Sequence, residues 1–226
     1  MNLVLSLAHR IHDLLDVTRK LDFLAPLLLR LFLSIVFISA GWNKAAGFES
    51  TVAWFGNPDW GLGLPFPAVM AFLATGAELV GGIFLLFGLA TRYFAVPLMI
   101  TMLVAALSVH WDNGWFAIAP SNPQTSMAQP LAAIGVPGAE RSLDNSAEVG
   151  KRLDAAKGLL REHGQYRWLT EKGNFVILNN GIEFGATYFI MLLVLFFHGA
   201  GRYVSLDYWI ARAAGRHHQG GRIPAR

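Results

Sequence analysis

The chain has 226 residues, 54% of them hydrophobic and only 15% charged, with a formal charge of +3. That composition, with a mean hydropathy of +0.43 and an isoelectric point near 9.4, is too apolar for a soluble globular domain and points to a membrane protein. The basic residues are spread without an aromatic-rich platform, which sets nucleic acid aside. The absence of cysteine excludes a disulfide, a thiol relay and any cluster or metal held by thiolates.

The first segment, residues 1–22, mixes His9, Arg10, His12, Asp13, Asp16, Arg19 and Lys20 with leucines. It is too polar for a signal-peptide core and no small-residue cleavage site follows. Leu7, Ile11, Leu14 and Leu15 share one face, which predicts an amphipathic interfacial helix. Four apolar runs then approach or exceed the roughly 20 residues that cross a hydrocarbon core as helix. They cover residues 23–42, 66–89, 93–109 and 175–197, the third with Pro97 near its start, where proline costs least.

Between the third and fourth runs lies a long insertion over 111–174. Its part from 115 to 138 is rich in proline, serine and alanine and reads as irregular. Val149, Leu153, Ala156 and Leu160 recur at helical spacing over 146–163, with Gly164 as a stop. One such helix does not make a domain; it is expected on the membrane surface or over the mouth of the bundle. A basic tail over 211–226 closes the chain, and its His217 and His218 carry no weight in the reading. The expected fold is all-α: a polytopic four-transmembrane-helix bundle over 23–210, preceded by the amphipathic helix and interrupted by a long outer loop with a short helix.

Four spans place both termini on one side, which collects Arg10, Arg19, Lys20, Arg92, Arg202, Arg212, Arg216, Arg222 and Arg226. The other side has Lys44 and basic residues mostly too far from the helix ends to count. The positive-inside rule then predicts cytoplasmic termini and, in a bacterial inner membrane, a periplasmic loop.

The segment TGAELVGG at 75–82 puts Glu78 inside an apolar span. Charge at membrane depth faces the bundle interior and pairs or works. Counting from the outer ends of the first two spans, Arg30 and Glu78 fall at about the same depth, so they are expected to pair. Ala71, Ala74, Thr75, Glu78, Gly81 and Gly82 form a small-residue stripe suited to close helix approach. Arg30, Ser34, Gly41 and Lys44 fall near one face of the first helix. Two readings stand side by side. In one the ion pair only fixes packing; in the other Glu78 accepts a proton at a proton or quinone site tuned by Arg30.

A second polar group forms where the outer helix ends converge. Trp42-Asn43-Lys44, the segment 110–115 (HWDNGW) and the segment 179–183 (NNGIE) meet there. Its His110 and Glu183 join Arg30, Ser34, Lys44 and Glu78 as candidate cofactor-binding residues. His110, Asp112 and Glu183 are metal-ligand types, but His110 and Asp112 are two apart and no second histidine lies near. Tryptophan anchoring at the interface with polar caps explains the same residues. Thr187 and His198 share a helix face with Glu183.

The first-span ending AGWNK at 40–44, Glu78 followed by GLATR at 88–92, and GAGRYVSLD at 199–207 together resemble the DoxX family of small four-helix membrane proteins. The stretch 52–67 (VAWFGNPDWGLGLPFP), the stretch 109–115 (VHWDNGW) and the large outer insertion are similar to its HvfX-like subgroup. That resemblance implies a place in the maturation of copper-binding, ribosomally made modified peptides, beside enzymes that modify cysteines in a precursor peptide. An association of the family with quinone-linked sulfur oxidation implies a quinone as cofactor. The resemblance supplies no catalytic residue. Three functions are therefore carried: a membrane accessory in copper-peptide maturation or copper stress, linked to quinone or docking soluble enzymes; a structural scaffold; and a small transporter using Glu78, Glu183 and His198. Four spans leave a monomer little room for alternating access, so a transporter would have to be a homo-oligomer.

Overall fold

The computed structural model describes residues 15–215. Most of the expected amphipathic helix over 1–22, and the tail from 216 with His217 and His218, lie outside the described residues. The helices are α1 (Leu24–Ala46), α2 (Phe48–Gly56), α3 (Pro67–Phe87), α4 (Thr91–Ala105), α5 (Ala128–Ala133), α6 (Ala139–His163), α7 (Tyr166–Leu169), α8 (Glu183–His198) and α9 (Leu206–Ala213). Among the described residues there is no strand, only an isolated antiparallel bridge between Ile118 and Leu178. The all-helical class read from the sequence is what forms. The described residues divide into two compact units, 15–101 with 190–215, and Met102–Phe189; α4 and α8 contribute residues to both.

Among the described residues three helical runs are long and apolar enough to cross a membrane: Leu24–Ala46, Pro67–Phe87 and Thr91–Asn113. The last continues α4 through a π-helical turn at Ala106–His110 and a 3-10 turn at Trp111–Asn113. Side chains such as Leu28, Ile35, Phe72 and Ile100 are exposed along these spans, as a lipid-facing surface requires. The fourth apolar helix, expected over 175–197, forms with shorter bounds than the sequence pattern indicated. It begins only at Glu183 and has 16 residues, about 24 Å of helix against a hydrocarbon core of roughly 30 Å. Residues 179–182 are held in non-helical backbone by bonds to the 114–117 segment, and Asn180 sits at φ 59°.

In the first unit α1 and α3 pack backbone against backbone. A β-carbon on Gly41 would lie 2.6 Å from the Leu79 nitrogen, and one on Gly82 would lie 2.9 Å from the Ile38 nitrogen. This is the close approach that small residues permit. Leu33, Phe37, Ala71 and Leu85 fill the seam, while Leu98 of α4 covers Gly81. Leu192 and Leu195 of α8 are fully buried.

The α3–α4 turn is closed by two charged residues distant in sequence. Arg30, 1% exposed, donates from Nη1 to the Leu85 carbonyl at 3.1 Å and from Nη2 to the Val204 carbonyl at 2.7 Å. Asp207 accepts from the Ala90 and Thr91 N–H groups at 2.7 and 3.0 Å, and its own N–H donates to the Gly88 carbonyl. A cation thus sits on the carbonyl end of one helix and an anion on the amide end of the next, each favoured by the helix dipole. Gly88 lies at φ +63°, and a β-carbon there would stand 2.1 Å from Arg30 Nη1. Ala90 and Tyr203 hold left-handed backbone at φ 50° and 64°, a conformation that persists where surrounding bonds impose it. Asp207→Ala is expected to lower stability by about 1–2 kcal/mol through loss of this cap. Thermal unfolding in detergent measures it, and an unchanged midpoint would refute the clamp.

The second unit is built on the 139–163 helix. It starts earlier than the sequence pattern indicated, at Ala139, because Ser142, Ser146, Val149, Gly150 and Leu153 form its buried face. The stretch read as irregular contains α5 and a short 3-10 turn at Pro123–Thr125. The insertion thus packs as part of a compact unit rather than as one surface helix.

Candidate functional site

Glu78 lies at the twelfth position of α3, with its side chain 6% exposed, and its partner is Lys44. The Lys44 ammonium donates to Glu78 Oε2 at 2.6 Å from a side chain 27% exposed. The expected Arg30–Glu78 pair does not form. The two helices run antiparallel, with Gly41 against Leu79, Gly82 against Ile38 and Gly88 against Arg30. Arg30 therefore meets α3 ten residues beyond Glu78, about 15 Å along the axis. The depth count assumed that the first two spans end level. In fact α3 overhangs α1 by about two turns at its start, and α2 reaches that overhang, with Gly56 against Pro67.

Ser34 belongs to Arg30's level and not to the pair; it is fully buried and its hydroxyl donates to the Arg30 carbonyl at 2.6 Å. Thr75, one turn before Glu78, is buried, and its hydroxyl has no hydrogen-bond partner among the described residues. Sequence reasoning placed Thr75 in the small-residue stripe and missed it as a polar group; its spacing of three from Glu78 was the available signal. A carboxylate, an ammonium and an unmatched hydroxyl in an apolar seam form a group that can hold or release one proton and offer a donor to a polar ligand atom.

In the second unit the HWDNGW and NNGIE segments do meet, but as a backbone zipper. The N–H groups of Asn179, Gly181, Ile182 and Glu183 donate to the carbonyls of Ala117, Phe116, Gly114 and Trp115 respectively. A β-carbon on Gly181 would lie 2.5 Å from the Phe116 oxygen. Asn179 donates to the Asn113 and Phe116 carbonyls, and its amide oxygen accepts from Asn145. Each metal-ligand candidate is engaged elsewhere. His110 Nδ1 lies 2.7 Å from the Asn180 carbonyl, a pure acceptor, so that nitrogen carries the proton. Asp112 pairs with Arg141 at 3.0 Å, and Glu183 accepts from the Ala117 N–H at 2.9 Å. Among the described residues no group of three or more His, Asp or Glu gathers to hold a metal. His110, Asp112 and Glu183 are thus not gathered into a metal-holding group among the described residues. Trp42, of the first-span ending, stands exposed in the first unit, and among the described residues His198 bonds its own helix at the Val194 carbonyl.

The DoxX family description matches residues 25–111. Inner membrane protein YphA of Escherichia coli (strain K12) is 32% identical over 138 residues, 55% of this chain and 96% of its own length. The chain belongs to the DoxX family. Two other relatives share less of their length: "Putative oxidoreductase CatD" of Bacillus subtilis (strain 168), 37% identical over 38% of this chain and 60% of its own, and an uncharacterized protein of Haemophilus influenzae (strain ATCC 51907 / DSM 11121 / KW20 / Rd), 34% identical over 39% and 59%. No solved structure matches the chain. The DoxX match takes in Arg30, Lys44, Thr75, Glu78 and the GLATR turn, and it ends before α6.

The pairing is open to a double-mutant cycle. Lys44→Met leaves a carboxylate without its partner and is expected to cost roughly 3 to 5 kcal/mol, less whatever partial exposure and proton uptake recover. Adding Glu78→Leu should restore most of that loss. Arg30→Met with Glu78→Leu should instead be additive within about 0.5 kcal/mol, since the sites are some 15 Å apart. Detergent unfolding of the single and double variants decides between the two partners.

Proposed function

We propose that this DoxX protein is a bacterial inner-membrane accessory of copper-peptide maturation or the copper stress response, and that Lys44 and Glu78 exchange a proton with a lipid-soluble quinone. The observation that carries the reading is the 2.6 Å Lys44–Glu78 contact inside two membrane-spanning helices, with the Thr75 hydroxyl unmatched one turn away. An ionisable group inside a span is by default a functional-site hypothesis, because holding it there is costly. Reducing a quinone takes two electrons and two protons. With no cysteine in the chain, the electrons would come from a redox group carried by a partner oxidoreductase. Glu78 would pass protons to the quinone oxygen, and Lys44 would hold the carboxylate between transfers. The name of CatD agrees with oxidoreductase chemistry, and the HvfX-like segments support the peptide pathway.

A scaffold reading is favoured by a different observation. The Met102–Phe189 unit exposes Ile134, Met127, Trp168 and Leu159, each more than 60% accessible, a surface on which peptide-modifying enzymes or a precursor peptide could dock.

Detergent-extracted protein is expected to carry quinone in stoichiometric amount, recovered by solvent extraction. Glu78→Gln keeps the shape and loses the proton, so it should stay folded while peptide maturation or copper tolerance falls by at least about tenfold. Full activity in the stable Lys44→Met/Glu78→Leu double variant would make the pair a packing device and favour the scaffold. For topology, single cysteines at the exposed Ser121 and Ala155 should label from outside spheroplasts, and one at Ala214 should not. Reversed labelling would invert the proposed cytoplasmic placement of the termini.

A further inference from the structure

Arg92 differs from the arginines around it. Arg30 is engaged by backbone carbonyls, Arg19 by Asp16 and Arg202 by Asp22. Among the described residues Arg92 enters no salt bridge. Its Nε donates to the Phe196 carbonyl at 2.8 Å, and its guanidinium carbon stands 5.7 Å from the centre of the Phe196 ring. These two contacts orient the guanidinium and leave both terminal nitrogens without a hydrogen-bond partner among the described residues.

Beside it lies a groove of about 590 Å³ lined by Arg92, Tyr93, Val96, Pro97 and Phe196. Arg92 is the second residue of a span and Val96 and Pro97 lie one turn further in. The charged end of the groove thus stands at the level of lipid headgroups and the apolar part runs toward the hydrocarbon. Tyr93 is 81% exposed, an aromatic at the span's end. Pro97 has no N–H to give the Tyr93 carbonyl, its usual helical acceptor, so that carbonyl lacks its i+4 donor. No lining residue is acidic.

We propose that this groove binds an anionic glycerophospholipid of the phosphatidylglycerol type. Its phosphate sits on the Arg92 guanidinium, a headgroup hydroxyl is offered to the Tyr93 carbonyl, and an acyl chain lies along Val96 and Pro97. Arg92, the one cation among the lining residues, selects net negative charge, and no lining carboxylate opposes an anionic headgroup. The site is separate from Lys44 and Glu78, and it stands whether or not the quinone proposal does.

The test titrates the full-length, detergent-purified protein with phosphatidylglycerol, phosphatidylcholine or inorganic phosphate and reads binding by native mass spectrometry. The wild type is expected to bind phosphatidylglycerol about fivefold tighter than phosphatidylcholine, the preference that one arginine at a membrane surface gives. Arg92→Gln should abolish that preference and Arg92→Lys should keep most of it. Val96→Trp, which fills the groove without touching the charge, should weaken phosphatidylglycerol binding and serves as the test if Arg92→Gln does not fold. Equal binding of the two lipids by the wild type, a preference that survives Arg92→Gln, or binding indifferent to Val96→Trp would overturn the proposal. Displacement of the lipid by inorganic phosphate would overturn it too, since the site would then recognise the free anion.

Discussion

The carbonyl end of α3 has to be closed, and Arg30 closes it. The last carbonyls of any helix lack intrahelical donors, and within a bilayer no water replaces them. Arg30 reaches across from α1 to Leu85 and also takes the Val204 carbonyl. That reach fixes how far α1 slides along α3. With Arg30 level with Gly88, Gly41 comes level with Leu79, and Lys44 arrives within hydrogen-bond distance of Glu78. The intramembrane pair and the helix cap ten residues away thus share one offset of α1 along α3.

The same closure gives physical content to the segments that carry the family resemblance. Gly88 supplies left-handed backbone with no β-carbon to strike Arg30. The Ala90 and Thr91 amides that follow are held by Asp207, the last residue of the GAGRYVSLD segment. Gly201 in that segment leaves room for Pro26, which its β-carbon would approach to 2.6 Å. Two motifs that stand more than a hundred residues apart are thus halves of one joint. Charge serves structure there, whereas the Lys44–Glu78 pair closes no helix end.

The second unit shows the opposite use of polar residues. Its His110, Asp112 and Glu183 looked like ligands because they are ligand types near converging helix ends, yet each satisfies a backbone group or a surface arginine. A non-helical segment at a helix end carries many amides and carbonyls, and satisfying them consumes the side chains at hand. That demand also shortens α8, because residues 179–182 form bonds to the 114–117 segment instead of a further turn of helix.

Composition and periodicity by themselves determined the class, the three long spans and the presence of charge at membrane depth, because hydropathy summed over some 20 residues depends on no partner. They also marked the small-residue face of α3 and the helical spacing of Val149 and Leu153. Only the tertiary structure decided that Glu78 meets Lys44 rather than Arg30. Depth counted from span ends assumes level ends, and the offset between α1 and α3 is set by Arg30's distant acceptors and by α2 packing beside α3's first turns. It likewise decided that a hydrophobic stretch of 23 residues yields a helix of 16. Apolarity permits a helix, but the backbone at 179–182 found its donors and acceptors across the chain, and no local pattern encodes such a bond.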